Sequence, residues 1–131
     1  MEMNNQTTPY LKAIEEELRH AVLRSEGPHL GHYDEMMAYH MGWEGEGSGL
    51  EARGKRIRPL LVLLCNDSAG GDWQAALPAA AAVELVHNFS LIHDDIQDES
   101  PTRRGRTTVW KKWGIAQAIN TGDAMLTLAH C

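Results

Sequence analysis

The chain has 131 residues, of which 43% are hydrophobic and 23% charged, with a net charge of -6. That length fits one domain able to bury a core, and the composition excludes intrinsic disorder. The acidic balance argues against a nucleic-acid partner, which needs a basic face, and two cysteines make no disulfide framework.

Residues 1 to 9 are polar, end in Pro9 and lack the apolar core of a signal peptide, so they read as a flexible terminus. Residues 10 to 24 read as a helix, with Leu11, Ile14, Leu18, Ala21 and Val22 spaced for one apolar face. Gly27 and Pro28 break it. Residues 32 to 42 form a second helix of weak periodicity, and the glycine-rich stretch 42 to 54 reads as a loop. Lys55 to about Asn66 is apolar after a basic start, and its leucines favour helix over strand. Cys65 lies in this run and reads as a buried free thiol. The longest strictly apolar run, Leu60 to Cys65, is too short to span a bilayer, so a cytoplasmic protein is expected. Residues 67 to 72 form a turn. A long helix then runs from Trp73 to about Asp98, with Pro78 near its first turn. Pro101 to Gly105 is a loop, and 108–113 and 115–130 read as helices parted near Gly114. The last of these carries no capping signal before Cys131, as expected of a truncated helix.

Three constellations carry chemistry. Asp94, Asp95 and Asp98 stand one turn or less apart on one helix, so their carboxylates crowd one surface. Like charges at this spacing cost about 0.2–0.5 kcal/mol per pair without a cation, and a helix C-terminus disfavours anions further. Hard carboxylate oxygens suit Mg2+ that also holds substrate phosphates. The preceding residues Val83 to Ile92 read as buried, so the aspartates end a core helix. His87, two turns before Asp94, reads either as a core histidine or as a donor to a phosphate. Gly54-Lys55-Arg56-Ile57-Arg58-Pro59 opens a helix with basic side chains, and Lys55 and Arg58 share a face that can hold an anion. Arg103-Arg104-Gly105 follows the aspartates closely, and its arginines read as ion-pair partners or as a diphosphate clamp. His29, His32 and His40 are too loosely spaced for zinc and read as surface residues.

Gly54 to Pro59, Glu84 to Asp98, Arg103 to Gly105, and Gly122-Asp123-Ala124-Met125-Leu126 together resemble the trans-isoprenyl diphosphate synthases, the polyprenyl synthetase family of farnesyl and geranylgeranyl diphosphate synthases. The resemblance covers about residues 50 to 131. It implies an all-α fold, the N-terminal part of a bundle of antiparallel helices around a central cavity. It implies a prenyltransferase that condenses isopentenyl diphosphate with an allylic diphosphate. On this resemblance Asp94, Asp95 and Asp98 are catalytic residues that hold the allylic diphosphate through Mg2+. Arg103 helps to bind that substrate, and Lys55, Arg58, His87 and Arg104 form the isopentenyl diphosphate pocket. Phe89 and Ser90, five and four residues before Asp94, set product length, and their pattern points to C20.

The family's second aspartate-rich motif is absent from these residues, so the chain is expected to be a fragment or one part of a split enzyme. It should be inactive or weakly active alone, expose apolar surface, and associate as a homodimer or with a chain that supplies the missing motif. Two other readings compete. A class I terpene cyclase also uses D-D-x-x-D, but it has no second diphosphate for the basic motif to hold. A non-catalytic interaction subunit of a full-length synthase has no need of the intact aspartates.

Overall fold

The computed structural model describes residues 6–23 and 31–131. The break expected at Gly27 and Pro28 lies outside them, as does His29. Among the described residues, seven α-helices and one two-stranded hairpin follow in order: α1 Thr8–Val22, α2 Gly31–His40, α3 Leu50–Arg53, α4 Ile57–Ser68, α5 Leu77–Gln97, β1 Thr102–Arg103, β2 Arg106–Thr107, α6 Val109–Trp113 and α7 Ile115–Ala129. The all-α expectation therefore holds.

The core explains which helices the sequence announces clearly. In α1, Ile14, Leu18 and Val22 recur every four residues and all three are buried. In α2 periodicity fails because burial is nearly all-round in its second half: Met36, Met37, Ala38, Tyr39 and His40 are consecutive and buried, and Met41 after it is buried too. Ala80, Ala81, Leu85 and Ile92 of α5 meet this cluster together with Leu63 of α4 and Ala118 and Met125 of α7. α5 is the central element, packed against α1, α4 and α7. α7 begins beside the end of α5, where His93 Nε2 lies 3.2 Å from the Ile119 carbonyl oxygen, and returns along it.

Several expectations need correction. The stretch 42–54 contains the single turn α3, flanked by Gly49 and Gly54 at positive φ and too short to show a period. The long helix starts later than Trp73. A 3-10 turn, Trp73–Ala76, comes first, with Asp72 Oδ1 accepting from the Gln74 amide at 3.1 Å. α5 then opens with Pro78 in its first turn, where an amide N–H is dispensable. Cys65 is exposed: α4 lies at the edge of the bundle and buries Pro59 and Leu63, and two residues beyond Leu63 the helix has turned to solvent. Val83 and Val86 are likewise exposed, so the stretch from Val83 to Ile92 is amphipathic and not wholly buried. Leu61, Ile115 and Ile119 add to the exposed apolar surface.

The stretch Trp73–Gln97 is long and apolar enough to cross a membrane by length and composition, which the short run Leu60 to Cys65 did not foretell. Alanines between scattered polar residues raise mean hydropathy without an unbroken apolar run. Its packing against three helices, with Glu84, Asn88 and Asp95 buried and hydrogen-bonded, is that of a core helix.

Candidate functional site

Arg53, Lys55, Arg56 and Arg58 put four basic residues within six positions, and they do not share one fate. Arg56 adopts left-handed φ 51 and ψ 38 just before α4, a conformation that costs a non-glycine residue about 1–3 kcal/mol. The turn carries its side chain inward, where it is 4% exposed. Its Nε donates to Glu15 Oε1 at 2.6 Å, one Nη to Glu84 Oε1 at 3.1 Å and the other to the Met41 carbonyl at 3.1 Å. One guanidinium thus ties α1, α5 and the chain after α2 to the entrance of α4. Sequence reasoning missed this role, because nothing in a run of basic residues marks which one turns inward.

The same reversal leaves Lys55 and Arg58 outside. They line a cleft of about 300 Å³, open mouth included, with Arg53, Arg56, Ile57, Glu84, His87 and Arg104. No side chain caps the first turn of α4, which borders this cleft. Arg58 Nη1 donates to His87 Nε2 at 3.2 Å. That nitrogen is therefore an acceptor, and the donor of the neutral ring is Nδ1. Burial first, then the Arg58 charge, lowers the His87 pKa and keeps the ring neutral.

The hairpin splits its two adjacent arginines between opposite partners. Arg104 and Gly105 both have positive φ, as a two-residue type I′ turn requires. Before the turn, Arg103 donates through Nε and Nη2 to both oxygens of Asp95, at 2.8 to 3.1 Å. Arg104 turns the other way, into the basic cleft, and donates to the Ala52 carbonyl at 3.1 Å. It lies against Gly54, where a Cβ would sit 2.8 Å from its guanidinium. Gly54 has φ +75, and it is this backbone conformation that calls for glycine there, since the Arg104 guanidinium is the end of a flexible side chain. Arg106 lines a small cavity with Asp95, Arg103 and Arg104, but its nitrogens are taken up by backbone. It donates to the Tyr39, Glu44 and Glu46 carbonyls at 2.6 to 3.0 Å and stacks 3.9 Å from the Tyr39 ring, which fixes the glycine-rich loop.

The three aspartates are not equivalent. Asp94 and Asp98 are exposed on one face of α5, a turn apart. Asp95 is 4% exposed and engaged by Arg103, so the three carboxylates do not crowd one surface as expected. The reason is the helical rotation of about 100° per residue, which carries Asp95 off that face and under the hairpin. Among the described residues no group of three or more His, Cys, Asp or Glu side chains is arranged to hold a metal ion.

His40 departs most from its expectation as a surface residue; the side chain of His32 lies outside the described residues. His40 is buried, with Nε2 3.1 Å from Asn88 Oδ1. Asn88 Nδ2 donates to the Glu84 carbonyl and Oε1, so Asn88 Oδ1 is the acceptor and His40 Nε2 the donor. A buried chain of hydrogen bonds thus runs from Glu15 through Arg56, Glu84 and Asn88 to His40. Burial first, then the Arg104 charge, lowers the His40 pKa to about 3. The folded pKa lies below the unfolded value near 6.5, so this stability is complete above about pH 6.5 and is lost as pH falls toward 3. The slope is about 1.4 kcal/mol per pH unit, or about 2 kcal/mol between pH 7 and pH 5. Urea unfolding at those two pH values should show this loss, and His40→Gln, which keeps a donor for Asn88, should remove it.

The sequence model of the polyprenyl synthetase family matches residues 48–131, which hold both the basic cleft and the aspartates. The chain belongs to the polyprenyl synthetase family. A (2E,6E)-farnesyl diphosphate synthase of Mycobacterium tuberculosis is 46% identical over 131 residues, 98% of this chain and 36% of its own length. A geranylgeranyl diphosphate synthase of Methanosarcina mazei is 50% identical over 80 residues, 61% of this chain and 25% of its own. The crystal structure of a geranylgeranyl pyrophosphate synthetase from Pyrococcus horikoshii superposes with a TM-score of 0.79 at 34% identity, covering 95% of this chain and 35% of that one. The chain spans between a quarter and about a third of the length of these relatives. Within this polyprenyl synthetase portion, Phe89 packs edge-on against His93, with ring centroids 4.7 Å apart. Both lie against Gly122 of α7, whose missing side chain leaves room for the His93 ring. Ser90 donates its hydroxyl to the His87 carbonyl at 2.6 Å.

Proposed function

We propose that this chain supplies the two diphosphate-binding faces of a trans-prenyltransferase that condenses isopentenyl diphosphate with an allylic diphosphate. The observation that carries the reading is the hairpin's division of labour. Arg103 stands on the aspartate side and Arg104 in the basic cleft, so one turn borders both faces. His87 of the cleft and Asp94 are seven residues apart on α5, roughly 10 Å along its axis, a spacing suited to two substrates lying side by side.

On the acidic face, Asp94 and Asp98 offer two exposed hard-oxygen donors. These fit Mg2+, which keeps several waters and takes one or two carboxylates plus substrate phosphates. The chemistry such an ion supplies there is neutralisation of the leaving diphosphate, which favours ionisation of the allylic C–O bond. Asp95 acts through Arg103: its two oxygens hold the guanidinium beside the aspartates as an anion contact. On the basic face, Lys55, Arg58 and Arg104 bind the second diphosphate, and neutral His87 orients Arg58 and offers its Nδ1–H. The two anions are thereby fixed before the alkene of isopentenyl diphosphate attacks the allylic carbon and a proton is lost.

Relatives named for C15 and for C20 products both match the chain. The C20 product is proposed on Phe89 and Ser90, with Phe89 set against α7 at the position that the resemblance assigns to the pocket floor. The proposal carries with it a cytoplasmic location, and homodimerisation or pairing with a chain that bears the second aspartate-rich motif. Product analysis tests it. The complete protein that carries this chain, given isopentenyl and allylic diphosphates with Mg2+, should consume isopentenyl diphosphate and yield mainly C20. Mainly C15, or C30 and above, contradicts the length assignment, and no consumption of isopentenyl diphosphate contradicts the reaction.

A further inference from the structure

Arg53 ends α3 and lines the cleft beside Lys55, Arg58 and Arg104. Its Nε is buried and has no hydrogen-bond partner among the described residues. The other inward guanidinium groups contrast with it. Arg56 and Arg106 each place three nitrogens on acceptors within 3.1 Å. An N–H withdrawn from water with nothing to accept it is costly, and the cost is greater beside other positive charges.

The protein supplies little to relieve it. Among the described residues Glu84 is the one carboxylate lining the cleft, and its Oε1 already accepts from Arg56 and Asn88. Against it stand Arg53, Lys55, Arg56, Arg58 and Arg104. Such a group is satisfied by an anion with several acceptor oxygens that enters the cleft.

We propose that Arg53 is a further substrate-binding residue, whose side chain reorients as the diphosphate enters the basic cleft so that its Nε–H, shielded in the free fold, donates to a phosphate oxygen. The proposal rests on the reading of that cleft as a diphosphate site. It differs from the expected set of Lys55, Arg58, His87 and Arg104 by a residue that no motif singled out.

Titration calorimetry of the chain with inorganic diphosphate, in chelator so that no divalent metal contributes, tests it. Arg53→Gln should weaken binding roughly tenfold, the usual worth of one charge-assisted hydrogen bond. Its thermal midpoint should stay the same or rise, because Nε makes no bond in the free fold that the variant could lose. Arg53→Lys keeps the charge but has no donor at the Nε position, so it should remain several-fold weaker than the parent. Should Arg53→Gln fail to fold, Arg53→Lys decides by the same criterion. Arg58→Gln is the control on the cleft itself. If it weakens binding while both Arg53 variants bind as the parent does, the Arg53 assignment is overturned and the cleft stands. A lower midpoint with unchanged affinity in the Arg53 variants would show a structural role and overturn the assignment too. If the parent does not bind, or Arg58→Gln has no effect, the cleft reading fails and the assignment with it.

Discussion

Replacing Arg56 with alanine is expected to lower the unfolding free energy by about 3–5 kcal/mol, the usual cost of breaking a buried ion pair from one side. The variant would leave Glu84, 3% exposed, and the partly buried Glu15 without their shared cation, and the Met41 carbonyl without a donor. The left-handed turn at Arg56 would lose the three bonds that offset its strain. With total stabilities of about 5–15 kcal/mol, such a loss consumes much of what a small domain has. Arg56→Lys should recover only part of it, because an ammonium cannot present the planar fork that reaches three acceptors. Arg58→Ala, two residues away and exposed, should change stability by no more than about 0.5 kcal/mol. Urea denaturation of the three variants checks the contrast. Equal losses at positions 56 and 58 would contradict the division of the basic motif into a structural and a binding residue.

That division shows what the sequence hides. Arg56 and Arg58 look alike in Gly54-Lys55-Arg56-Ile57-Arg58-Pro59, and neither periodicity nor charge marks the one at positive φ. The turn exists because Glu15 and Glu84, 41 and 28 residues away in sequence, converge on it. His40 was hidden for the same reason: its partner Asn88 lies 48 residues on, in another helix. By contrast, the helical spacing of α1 and the placement of Arg58 on α4 and of His87, Asp94 and Asp95 on α5 were legible, because they follow from local pattern alone, whereas Lys55 stands two residues before α4, ahead of the left-handed turn at Arg56. The exposure of Cys65 was not, since an apolar run does not reveal which side of its helix meets the core.

The second large effect concerns the aspartates, which are of two kinds. Asp94→Asn combined with Asp98→Asn should abolish magnesium-dependent diphosphate binding while leaving stability unchanged or slightly higher. Both side chains are exposed, and both sit at a helix C-terminus whose dipole disfavours anions. Asp95→Asn should do the reverse. It removes the carboxylate that holds Arg103 and should destabilise by roughly 1–3 kcal/mol, with the metal-dependent signal weakened and not lost. Chemical denaturation and diphosphate titrations of the two proteins separate the roles. Equal loss of metal-dependent binding in both would restore the expectation of one three-carboxylate site.

The proposed function requires two separate diphosphate faces on this chain, one metal-dependent and one not. The most direct measurement is a calorimetric titration of the chain with inorganic diphosphate, with and without magnesium, repeated on Asp94→Asn/Asp98→Asn and on Lys55→Gln/Arg58→Gln. The predicted result is a magnesium-dependent component lost only in the aspartate pair and a magnesium-independent component lost only in the basic pair. A single component lost in both pairs, or binding that neither pair reduces, would contradict it.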